Sequence, residues 1–134
     1  MSSSCSRQGY KPTLVIPSGI VIDSLATEPA FEGMIGNSTT FPFFQDNTPA
    51  TAEFRQAAAA FGAGVTMGVG TATGWTAGKL LERAAVSFPG RPTSESLLRG
   101  LWSIRNDDLG GITAPLSFTE NQPATASACW FTTK

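Results

Sequence analysis

Apolar residues in this chain fall into two kinds of pattern, short β-branched runs near the ends and helical spacings in the middle. Leu14 to Ile16 and Ile20 to Ile22 flank Pro17-Ser18-Gly19, which predicts a strand followed by a loop at its end. Glu32-Gly33 is turn-like, and Met34-Ile35 predicts the start of another short strand. Phe41, Phe43 and Phe44 around Pro42 predict extended chain packed on something apolar.

The pattern then takes a helical period. Thr48 is a candidate N-cap with Pro49 at the first helical position, and Gly62 fits the stop. Phe54, Ala57, Ala58 and Phe61 share one face of that helix. A second helix is predicted over "TGWTAGKLLERAAVSFPG", with Trp75, Leu80, Leu81, Ala84, Ala85 and Phe88 in period and Pro89-Gly90 ending it. Gly74 and Gly78, four apart, suit the close approach of another backbone. A third helix starts at Thr93 as N-cap with Glu95 in its first turn, carries Leu97, Leu98, Leu101 and Trp102, and ends at Asn106-Asp107-Asp108. After Gly110-Gly111, Leu116 and Phe118 alternate with Ser117. Glu120 to Pro123 reads as a turn, and Ala126 to Thr132 as a last strand. The order is strand, a second short strand, three helices, two strands. That is an α/β pattern with too few strands to make an ordinary doubly wound sheet. The helices look built to cover a sheet the chain does not contain.

Composition sharpens this. The 134 residues suffice for one small domain with a single core. Charged residues are 14% of the chain, against about 25% on average. Either the surface is rich in uncharged polar residues, or part of it is meant to be covered. The net charge is −1 with nine basic residues scattered, which lacks the basic footprint of a nucleic-acid binder. The absence of histidine removes the commonest general base and the commonest zinc ligand together. No apolar leader precedes a cleavage site at the N-terminus, and "AAAAFGAGV" is too short to span a membrane. Two cysteines, Cys5 and Cys129, stand near opposite ends without a C-x-x-C pattern. They fit either a disulfide or two separate buried thiols.

Candidate chemistry is sparse. "GVGTATG", Gly68 to Gly74, resembles a loosened dinucleotide fingerprint before a helix, G-x-G-x-x-x-G rather than G-x-G-x-x-G, and its alternative is a flexible loop with close helix packing. Asp107-Asp108 reads as a solvated turn more than as a metal or acid–base pair. Ser18 lacks the context of an acyl-transfer nucleophile. Trp75 and Trp102 lie on apolar stripes and read as core or interface.

Four stretches in order carry a resemblance. "RQGYKPTLVIPSGI" is similar to a helix end and strand, "FEGMIGNSTTFP" to an A-E-G-x-x-x-x-x-x-x-P crossover, and "TATGWTAGKLLERAA" to a Y-x-A-x-x-x-x-A-x-x-x-A helix. With "LLRGLWSIRNDDLGGITAPLSFTENQPATASACWF", the chain resembles the C-terminal part of the type I periplasmic substrate-binding proteins, the leucine/isoleucine/valine-binding-like receptors of ABC importers. The resemblance covers essentially the whole chain, although family members are two to three times as long.

The resemblance implies an incomplete portion of a two-lobe α/β fold. Residues 1–40 would belong to the second lobe and the crossover, 41–125 to the first lobe, and 126–134 to the last strand of the second. It implies a non-enzymatic receptor without a cofactor, closing on a branched-chain amino acid, amide or similar small polar solute. ABC permease subunits would be its partners, and a missing N-terminal half would supply much of the binding wall. Ser18 and Gly19, in the loop after the first strand, and Met67 and Thr71, in the loop matching Met67 to Thr73, would border the cleft. Ser18 stands where amino-acid-binding members carry an acid, and Thr71 where an aromatic is common, so recognition of an α-amino group is placed in doubt. Cys5 and Cys129 would both fall in the second lobe, which favours pairing them. The intact family is extracytoplasmic; the chain as given, without a leader, would be cytoplasmic. Two other readings stand beside this one: a nucleotide-binding protein using Gly68 to Gly74, and a ligand-free interaction fragment whose apolar helix faces need a partner.

Overall fold

The structure, a computed structural model, describes residues 2–86, 88, 90–124 and 129–134. Helix α1 (Ser2–Arg7) opens the chain and stops where Gly9 turns through φ 73°, with the Gln8 and Tyr10 amides both donating to the Cys5 carbonyl. Strand β1 (Val15–Ile16) follows. Ile20 to Ile22 does not extend as strand. Ser18–Ile20 is a 3-10 turn, and Ile22 makes a single antiparallel bridge to Gly68. Two more 3-10 turns, Asp23–Thr27 and Pro29–Phe31, carry the chain to β2 (Ile35–Ser38). These turns stand where a parallel pair usually has a crossover helix.

The sheet has the order β1-β2-β3, with β1 and β2 parallel and β3 (Phe131–Thr133) antiparallel to β2. Gly36 faces Thr133, and a β-carbon there would stand 2.7 Å from the Thr133 hydroxyl oxygen. The end of the chain therefore returns to the strand at the crossover. Residues 126–128 of the expected last strand lie outside the described residues.

Helix α2 (Pro49–Phe61) has the expected start and stop. Thr48 and Thr51 form a reciprocal capping box, Pro49 opens the first turn, and the Gly62 amide donates to Ala58. Helix α4 (Ser94–Ser103) begins in the same way, with Thr93 and Ser96 capping each other, and ends earlier than the Asn106 turn. Helix α3 (Val69–Ala85) starts four residues before the expected position. Leu116 and Phe118 form no strand. Leu116 exchanges two backbone bonds with Asp107, and Arg105 ties the end of α4 to the Phe118 carbonyl.

One apolar cluster joins these parts. Ile16 and Val21 from the β1 region, Phe41 and Phe43 from the crossover, Phe54 of α2, Val69 and Ala72 of α3, and Leu109 and Ile112 are buried together. Phe41, Phe54 and Trp75 stack edge to face in succession, with ring centroids 5.2 and 5.6 Å apart. Helices α3 and α4 meet at Gly100, which lies directly on the Ala84 backbone. Gly74 and Gly78, expected to admit a backbone, have no atom from outside their own stretch of helix within 4 Å of a β-carbon position.

Candidate functional site

The segment that follows the Ser18–Ile20 turn and the start of α3 are joined by a clasp. The Val69 amide donates to the Val21 carbonyl at 3.1 Å, and the Asp23 amide donates to the Met67 carbonyl at 3.0 Å. Gly68 is the N-cap, and a β-carbon there would stand 2.7 Å from Ile22 Cγ2 and 2.9 Å from the Val21 oxygen. Only glycine lets the two backbones come this close. The Ser18–Ile20 turn packs against α3. Gly19 has open space around its α-carbon.

Met67, whose carbonyl is part of the clasp, is followed one turn on by Thr71 in α3. Both are half-buried, and both line a groove of about 480 Å³ between α2 and α3. The Thr71 hydroxyl donates to the Thr66 carbonyl at 2.8 Å, which fixes its rotamer and leaves an oxygen lone pair open. The groove also takes in Phe54, Ala57, Ala58 and Phe61 from α2, and Gly74, Trp75 and Gly78 from α3. The Ser18–Gly19 turn is not part of its lining. Of the four residues expected at one cleft, Met67 and Thr71 therefore share this groove and Ser18 and Gly19 do not.

At the groove's rim Lys79 bridges the two helices, 3.2 Å from Glu53 on α2 and 2.8 Å from Glu82 on α3. The hydrogen bonds that the lysine donates to Glu82 and then to Glu53 raise it above its ordinary value, and the same lysine holds the Glu82 carboxyl below its own.

A second concavity, of about 570 Å³, lies between the turns after β1 and the crossover. Val21, Leu25, Met34 and Phe43 give it an apolar floor, and Asp23, Glu28 and Glu32 stand on its lining. Sequence reading did not foresee it. Its walls come from three separate turns and the β3 end, which no local pattern brings together.

The glycine-rich segment is not a phosphate loop. Gly70 and Gly74 lie inside α3, and the first helical amide is taken by Val21. The Thr73 and Thr76 hydroxyls bond back to Val69 and Ala72, in keeping with a helix there. Asp107 and Asp108 are structural: Asp107 pairs with Arg83 at 2.8 Å and accepts from the Leu109 amide, while Asp108 accepts from Gly110 and Gly111. Cys5, on α1, is half-buried and Cys129, before β3, is exposed. No disulfide joins them, against the pairing that the resemblance favours. Among the described residues no group of three or more acidic, cysteine or histidine side chains is placed to hold a metal, and no helix is long and apolar enough to cross a membrane.

No protein-family model matches the chain, and no curated protein matches it. Among solved structures, one described as a possible leucine/isoleucine/valine-binding protein from Rhodopirellula baltica SH 1 is similar, with a TM-score of 0.75 at 19% identity. The match covers 98% of this chain and 35% of that one. The fold is thus an α/β portion of a periplasmic-binding-protein fold, about one third of the solved chain's length.

Proposed function

We propose that this chain is the C-terminal portion of a two-lobe solute-binding receptor of the ABC-importer type, acting by binding and not by catalysis. The observation that carries this reading is the match of nearly the whole chain to a third of a solved chain described as a possible branched-chain amino acid binder. Residues 1–40 and 126–134 are the second-lobe part, and 41–125 the first-lobe part. The Ser18–Gly19 turn and the Met67–Thr71 segment border the solute, a branched-chain amino acid, amide or similar small polar molecule. ABC permease subunits read the closed state, outside the cytoplasm.

Surface area supports an incomplete fold. The chain exposes 9198 Å², whereas a folded monomer of 14.0 kDa exposes about 6,700 Å². A small-solute site buries most of its ligand, and the faces here supply part of a wall.

The test is to translate the coding sequence upstream of Met1, express the extended polypeptide, and titrate it with leucine, isoleucine, valine and their amides by calorimetry. Saturable one-to-one binding that Gly19→Trp or Thr71→Trp abolishes is expected. An upstream sequence with no α/β lobe, or a folded extended chain that binds none of these solutes, would sink the reading.

A further inference from the structure

We propose that the concavity between the turns after β1 and the crossover is a binding site for a small organic cation, an amine carried on an apolar body.

The floor matches the apolar body. Val21 and Phe43 are buried there, and Leu25 and Met34 are half-buried. Phe44 stands edge to face on Phe43, with ring centroids 5.4 Å apart, yet stays 40% exposed on the lining. It offers ring surface that the core leaves uncovered, and such a ring attracts a cation as well as an apolar chain. The volume of about 570 Å³ falls in the range of roughly 300–1,000 Å³ that small-molecule sites take.

The wall is held in shape by its own backbone. The Glu28 amide donates to the Leu25 carbonyl, Phe31 to Glu28, and Met34 to Phe31, at 3.3, 2.9 and 3.0 Å. Leu25, Glu28, Phe31 and Met34 thus stand three apart along one line of turn bonds, and all four line the concavity. A wall that is already ordered lowers the cost of binding.

The lining sets the sign of the ligand's charge. Asp23, Glu28 and Glu32 bring three carboxylates and Lys134 one ammonium, which leaves the lining two charges negative. Among the described residues none of these four takes part in an ion pair. The three acids are exposed. A cationic head can therefore pair with them at the open side and keep part of its water while its body enters the floor. An anion would meet the unbalanced carboxylates, and a neutral molecule would gain nothing from them. Ser18, Gly19, Met67 and Thr71 are not part of this lining, so the inference does not rest on the solute reading.

Amide NMR of the full chain at low salt, titrated with phenylbutylamine, phenylbutanol and phenylbutyrate, tests it. The three probes share one apolar body and differ in the charge of the head. The amine is expected to shift the Leu25, Glu32 and Met34 amides saturably. The alcohol should bind about tenfold more weakly, the combined effect of several exposed ion pairs, and the butyrate more weakly still. Glu28→Gln with Glu32→Gln, both at exposed positions, should remove most of the amine's advantage and leave the alcohol's affinity unchanged. Phe44→Ala should weaken amine and alcohol alike. The proposal is overturned by the absence of a saturable shift at those amides up to about 10 mM amine, by equal affinity for amine and alcohol, or by an advantage of the amine that survives the double substitution. An amine that shifts only the Ala57, Gly74 and Gly78 amides of the other groove also overturns it.

Discussion

Gly100 of α4 lies so close to Ala84 of α3 that a β-carbon on it would stand 2.1 Å from the Ala84 carbonyl oxygen. The contact is backbone on backbone, and Ala84 is fully buried beneath it. Neither partner has a flexible end that can give way. Gly100→Ala should therefore destabilise the chain by about 3 kcal/mol, the upper range for overpacking. Gly70→Ala is the control, because it lies inside α3 with open space around it; it should stabilise by roughly 1 kcal/mol. Denaturant midpoints of the two variants, moving in opposite directions, check the packing of the two helices.

The clasp at Gly68 makes a second prediction. Gly68→Ala pushes on Ile22 and on the Val21 carbonyl, and should loosen both clasp bonds at a cost of about 2 kcal/mol. Hydrogen exchange at the Val69 and Asp23 amides should quicken far more than exchange at amides in the middle of α4. Equal quickening everywhere would mean that the clasp is not a local element.

Phe54 stands between Phe41 and Trp75, and its side chain is almost wholly buried. Phe54→Ala removes both ring contacts and opens the core beside the groove. A loss of about 3–5 kcal/mol is expected, together with a red shift of fluorescence as Trp75 meets water. A stability change below about 1 kcal/mol would show that α2 is not anchored through this ring.

The Lys79 bridge sets a pH dependence. Glu82 is depressed by its lysine partner, so its contribution is present above the ordinary carboxylate value of 4.5 and is lost as pH falls through its lower folded value. Lys79 is raised, so its contribution is present below 10.5 and is lost as pH rises through its higher folded value. Both groups are accessible to solvent and salt, so the effect is small. The difference in melting temperature between the natural chain and Glu82→Gln should be largest near neutrality. It should shrink at both extremes and in high salt.

The capped helices were legible in sequence because caps are local. Thr48-Pro49 and Thr93 each satisfy amides within three residues, and no distant partner is needed. The start of α3 was not legible. Gly68, Gly70 and Gly74 read as a loop on propensity, but the clasp to Val21 fixes the first turn, and the cost of the glycines is outweighed by tertiary contact. Ile20–Ile22 and Leu116–Phe118 have strand composition but only single bridges. Their apolar residues serve the core without a neighbour strand to pair with. The α/β character and the likeness to a binding-protein portion were visible in the order of motifs. The groove was not, since Gly74 and Gly78 signal close packing and an open floor equally well. That Met67 and Thr71 share the groove and Ser18 and Gly19 do not was not legible either, since the groove is formed by α2 and α3 together.

On the proposed function, this chain has its own core and carries only part of a solute wall. The most direct test is a two-dimensional amide NMR spectrum of the purified chain, recorded before and after adding a pool of amino acids and amides. A dispersed spectrum is expected, with the Gly19, Met67 and Thr71 amides unmoved by the pool. Collapsed, poorly dispersed peaks would contradict the continuous core, and saturable shifts at those three amides would contradict the incomplete wall.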